Sequence, residues 1–70
     1  MAYFNYHAKA QGLIKTGHCV SAEVVEQYRD ISPALILYFD NHIPMPIRIY
    51  RFDEYLGLLN HYEVVVEYKI

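Results

Sequence analysis

Apolar side chains recur three and four residues apart near the start of the chain. Tyr3, Tyr6, His7, Ala10, Leu13 and Ile14 form one stripe, and Lys9, Gln11 and Lys15 fall off it. That period predicts an amphipathic helix. Gly17 stands where a left-handed C-terminal cap belongs, and Lys15 lies in the last turn, where a cation suits the helix dipole. Gly12, inside the helix, costs about 1 kcal/mol against alanine.

Beyond Gly17 the period changes to two. Val20, Ala22 and Val24 alternate with Ser21, Glu23 and Val25, which predicts a strand over residues 19–28 with one polar face. The consecutive Val24 and Val25 suggest a bulge, and Arg29-Asp30 a polar turn. Residues 34–39, ALILYF, are apolar on both parities, as expected of a strand covered on both faces. Asp40-Asn41 has turn chemistry, because both side chains bond local backbone. Pro44 and Pro46 then hold Met45 extended and suit the start of an edge strand, where no ladder donor is missed. In that strand Ile47 and Ile49 would point one way, and Arg48 and Tyr50 the other. Phe52, Tyr55, Leu56 and Leu59 define a second helical stripe ending near Asn60. Over residues 63–70, Val64, Val66, Tyr68 and Ile70 alternate with Glu63, Val65, Glu67 and Lys69, and three successive valines favour a last strand over more helix.

The expected fold is therefore α+β, a single domain over residues 1–70 with element order α-β-β-β-α-β. A three-stranded antiparallel meander is joined by a C-terminal strand, with both helices on one sheet face. The last strand pairs either in parallel beside the first, or at an edge with a second copy of the chain.

Composition sharpens this picture. At 54% hydrophobic and 20% charged residues, the chain is not intrinsically disordered. Seventy residues supply little core, and small domains meet that shortage with disulfides, a metal or self-association. The single cysteine, Cys19, cannot close an intrachain disulfide and suits a reducing compartment. No basic-then-apolar leader and no apolar run near 18 residues is present, so the expectation is a cytoplasmic protein without a membrane partner. Six basic residues against eight acidic ones give a net charge of −2, which disfavours nucleic acid.

Candidate chemistry is sparse. His7, His18, His42, His61 and Cys19 are metal-ligand types, but the histidines lie eleven or more residues apart, unlike the paired spacing of zinc sites. His18 and Cys19 on a strand point to opposite faces, so they do not form a nucleophile and base. Asp53 and Glu54 diverge by ~100° on a helix, which leaves Asp40 with His42 as the better acid–base pair, and its simpler reading is a turn. No cofactor and no enzymatic activity are expected. Arg48, Tyr50 and Arg51, with Tyr38, form a candidate binding surface for a small ligand or single-stranded nucleic acid. The simpler reading pairs Arg48 with Glu23 or another acid across the sheet. The sheet face away from the helices would carry Val25, Ile36, Tyr38, Tyr50 and Val65, which is more apolar than a solvated one, unless loops or Tyr3 and Phe4 cover it. The candidate self-association residues are Val25, Ile36, Tyr38 and Val65 with Tyr68 of the last strand. The chain therefore reads as a non-enzymatic protein-interaction module. It would be a homodimer through an apolar sheet face or its last strand, with room for another protein partner.

Overall fold

A computed structural model describes residues 5–70. Helix α1 spans Tyr6–Lys15 and is followed by strands β1 (Cys19–Val25), β2 (Ala34–Phe39) and β3 (Met45–Arg48). One 3-10 turn, Ile49–Arg51, leads into helix α2 (Phe52–His61), and β4 (Val66–Tyr68) ends the fold. The sheet order is β3-β2-β1-β4. The first three strands are the expected antiparallel meander, and β4 joins β1 in parallel, so the sheet as a whole is mixed.

Register explains the core. Ala22 and Val24 lie opposite Leu37 and Leu35, which in turn lie opposite Met45 and Ile47. These side chains share one face, and Val66 extends it beside Ala22. Both helices close over that face with Ala10, Ile14, Tyr55 and Leu59. Tyr55 is fully buried, and its hydroxyl lies 2.9 Å from His7 Nδ1, so the phenol is not left unpaired in the core.

The helix ends use a common device. Asn5 caps α1, its side chain accepting from the Ala8 amide. At the other end Gly17 has φ +82°, and the His18 and Gly17 amides donate back to Leu13 and Ile14. Helix α2 ends in the same way, with Val64 donating to Leu59, but its left-handed position is held by Glu63 at φ +59°. A side chain at such an angle is strained by about 1 kcal/mol.

Several sequence expectations need correction. Strand β1 stops at Val25, and Tyr28 belongs to a tight turn, bridged to Ile31, in which Arg29 has φ +57°. The bulge lies between Cys19 and Ser21, where the register shifts, and not at Val24-Val25. Strand β3 ends at Arg48, because Ile49 and Tyr50 already belong to the 3-10 turn. Tyr50 therefore does not continue the strand face that Arg48 occupies. Residues 63–65 precede β4 instead of forming part of it. The placement of Tyr3 in the first stripe, and of Tyr3 and Phe4 over the sheet, lies outside the described residues.

Candidate functional site

The two sheet edges follow from the hydrogen-bond direction of each strand. The Ala22 amide donates to Val65 at 3.0 Å and the Lys69 amide donates to Val24 at 2.8 Å. Backbone groups alternate sides along a strand. Residues 65, 67 and 69 thus face β1, and Val66 and Tyr68 present their N–H and C=O groups outward. On β1, Ala22 and Val24 face β4, so Glu23 faces β2 and pairs with Ile36. The same alternation turns Leu35 and Leu37 toward β3, and Pro46 and Arg48 outward from it.

The outer edge of β3 is blunted. Pro46 has no N–H to offer, and its carbonyl accepts the Tyr6 hydroxyl at 2.9 Å. The outer edge of β4 carries no such device. No described residue bonds the outward groups of Val66 or Tyr68. Around them Val65, Tyr68 and Ile70 are 69, 65 and 66% exposed. Tyr68 and Ile70 have the parity of the core face but lie outside the core cluster, whereas Val66 still packs against it.

The second sheet face is less open than its composition suggests. Ile36, at its centre, is 3% exposed, and Ala34 beside it is fully buried. Val25 and Tyr38 are half-buried. Glu23 is the polar hub of this face, accepting the Tyr38 hydroxyl at 2.5 Å and lying 3.5 Å from Lys69 Nζ. The hydrogen bond to that carboxylate pushes the Tyr38 phenol up to about 12. Arg48 is not the partner of Glu23. It is exposed and has no ion pair or hydrogen bond among the described residues.

The candidate binding residues therefore separate. Arg51 pairs with Glu54, Nε to Oε1 at 2.8 Å, and Tyr38 belongs to the Glu23 hub. Arg48 and Tyr50 stay together, at a groove of about 830 Å³ beside β3 whose described walls include Tyr6, Tyr28, Ile43 and Pro46. Sequence reasoning missed Tyr28 and Ile43 here. Ile43, 81% exposed between His42 and Pro44, was the available signal, being an apolar residue within a polar turn.

Other candidate chemistry is dispersed. Asp40 lies 3.2 Å from His18 Nδ1, not with His42, whose ring instead meets Phe39 edge-on. His61 stacks edge-on against Tyr62. Among the described residues no three His, Cys, Asp or Glu side chains are grouped to hold a metal. Burial pushes the Cys19 thiol up, opposite to the depressed pKa of an activated nucleophile. No described helix is long and apolar enough to cross a membrane.

Neither a family model, nor a curated protein, nor a solved structure matches the chain.

Proposed function

We propose that the chain is a non-enzymatic, cytoplasmic interaction module that forms a homodimer by pairing β4 with β4 of a second copy. The supporting observation is the open outer edge of β4, flanked by exposed Val65, Tyr68 and Ile70. An unguarded edge is a template for another strand. Two-fold pairing makes the strands antiparallel and would continue the sheet through both copies.

Charge selects the register. Only residues 66, 68 and 70 turn their backbone outward, so any two-fold pairing places these opposite one another. Centring the axis on Tyr68 sets Val66 opposite the partner's Ile70, and Glu67 opposite the partner's Lys69, twice. Centring on Glu67 would instead oppose two carboxylates, and centring on Lys69 two ammonium groups. Opposite charges across a strand pair contribute roughly 0.2–1 kcal/mol each, and like charges oppose pairing. The Tyr68-centred register also brings Val66, Tyr68 and Ile70 of both copies into one apolar strip on the helix-bearing face. Its area is what the small core lacks.

Sedimentation equilibrium tests the reading. A concentration-dependent monomer–dimer equilibrium is expected at micromolar chain. A monomer throughout that range would reject the dimer. A further protein partner would have to bind outside this edge.

A further inference from the structure

The groove beside β3 lies at the far side of the sheet from β4, so its use does not depend on dimerisation. We infer that it is a binding site for a low-molecular-mass apolar carboxylate, with Arg48 as the anchor of the carboxylate group.

The walls supply the apolar half of this recognition. Tyr6, at the start of α1, and Tyr28, in the turn after β1, line the groove with Ile31, Ile43, Met45 and Pro46. A volume of about 830 Å³ is within the usual size of ligand sites, which are mostly apolar with a few convergent polar groups. Aromatic faces add contact area at low entropy cost, because a phenol ring has few rotors to immobilise.

The charges supply the other half. The described lining holds Arg29, Arg48 and one acid, Asp30, leaving one excess positive charge. Arg29 lies over the Tyr28 ring, 5.6 Å from its centroid, which leaves it partly engaged. Arg51, outside the groove, is paired with Glu54. Arg48 is the arginine with no partner among the described residues. A guanidinium presents a planar fork that matches a carboxylate with two parallel hydrogen bonds. Beside low-dielectric aromatic walls that bond is stronger than in open water. A single excess charge favours a monoanion over a phosphate or a polyanion, and this separates the site from a nucleic-acid surface.

The test uses decanoate and its neutral counterpart decanol, titrated into the full chain and followed by amide and side-chain NMR shifts. Saturable shifts at Tyr28, Ile43, Met45 and Tyr50 are expected, with decanoate bound about 10-fold more tightly than decanol, equivalent to about 1.4 kcal/mol. Arg48→Gln should bring the two ligands to within about twofold by removing the charge-assisted pair. Arg51→Gln should leave the preference intact. Because Arg48 is exposed and has no partner among the described residues, its variant should melt with the parent, which separates lost binding from lost fold. Three results would overturn the inference. These are shifts that do not saturate or map elsewhere, equal affinity for the two ligands, or a charge preference that survives Arg48→Gln. A dimer that fails to form leaves all of these readouts unchanged.

Discussion

The two edges of this sheet are built on opposite principles. Strand β3 turns Pro46 outward, so a donor is missing, and the Tyr6 hydroxyl occupies the carbonyl that remains. Strand β4 turns Val66 and Tyr68 outward with nothing across from them among the described residues, and surrounds them with exposed apolar side chains. Proteins commonly blunt an edge by proline, charge or cover. Here one edge has two of those devices and the other has only the alternating Glu67 and Lys69. On the proposed reading the open edge is the one that pairs, while the groove lies along the guarded edge.

The strongest way to break the contrast is to move the guard. Tyr68→Pro removes an outward N–H without touching a bond to β1, because residue 68 does not face β1. It should weaken the dimer by roughly 100-fold, about 3 kcal/mol, with little change in the far-ultraviolet circular dichroism. Undiminished dimerisation in sedimentation would place the interface elsewhere.

Register is tested next. Glu67→Lys turns two attractive cross-strand pairs into two repulsive ones and should weaken association by about 10-fold at low salt. Adding Lys69→Glu reverses both partners and should restore it, in a Glu23→Gln background where the new carboxylate does not meet the one that Lys69 now contacts. Failure of the double variant to recover would reject the Tyr68-centred register while leaving β4 pairing possible, a distinction that a single charge reversal does not make.

Unguarding β3 is the converse experiment. Pro46→Val with Tyr6→Phe restores a donor and frees a carbonyl on the outer edge. Losing the Tyr6 hydrogen bond should cost about 1 kcal/mol of stability. With both edges open, sedimentation should show species larger than a dimer as concentration rises. If the double variant stays dimeric, the proline and the hydroxyl are not what keeps that edge silent.

A smaller effect sharpens the role of the segment that delivers β4. Glu63 holds a left-handed angle that Gly17 holds without strain at the matching point of α1. Glu63→Gly should therefore raise stability by up to about 1 kcal/mol in urea unfolding, and leave the dimer constant unchanged. A fall in stability would mean that the Glu63 side chain does more than tolerate its backbone.

Much of this architecture was legible from period alone. The stripe of Ala10 and Ile14, the two-sided apolarity of residues 34–39 and the cap at Gly17 each have one physical reading, and each was found in place. What the sequence hid was where alternation stops. Tyr50 continues the parity of Arg48 on paper, yet the chain coils into a 3-10 turn at Ile49, and a three-residue turn leaves no periodic trace. The groove was hidden for a related reason, since Tyr28 and Ile43 are brought to β3 by two separate turns. The outward direction of Val66 and Tyr68 depends on parallel pairing with β1, which is a tertiary choice and not a local one.

The last contrast between the edges is one of alkaline titration. Each flank carries a phenol whose proton is part of its hydrogen bond. Tyr6 donates to Pro46, and Tyr38 donates to Glu23 on β1, adjacent to β4. Burial raises Tyr6, whereas the carboxylate acceptor takes Tyr38 up to about 12. An unfolded tyrosine titrates near 10, approximately. A folded pKa above the unfolded value means the stabilisation is complete below about pH 10 and is lost as pH rises through about 12. Urea midpoints between about pH 9 and 12, measured on the Tyr68→Pro monomer to exclude association, should therefore decline. Tyr38→Phe should remove more of that decline than Tyr6→Phe, because ionised Tyr38 would face the Glu23 carboxylate whereas ionised Tyr6 would face a neutral carbonyl. Equal slopes in the two variants would show that the Glu23 hub does not hold the β4 side of the sheet more tightly than Tyr6 holds the β3 side.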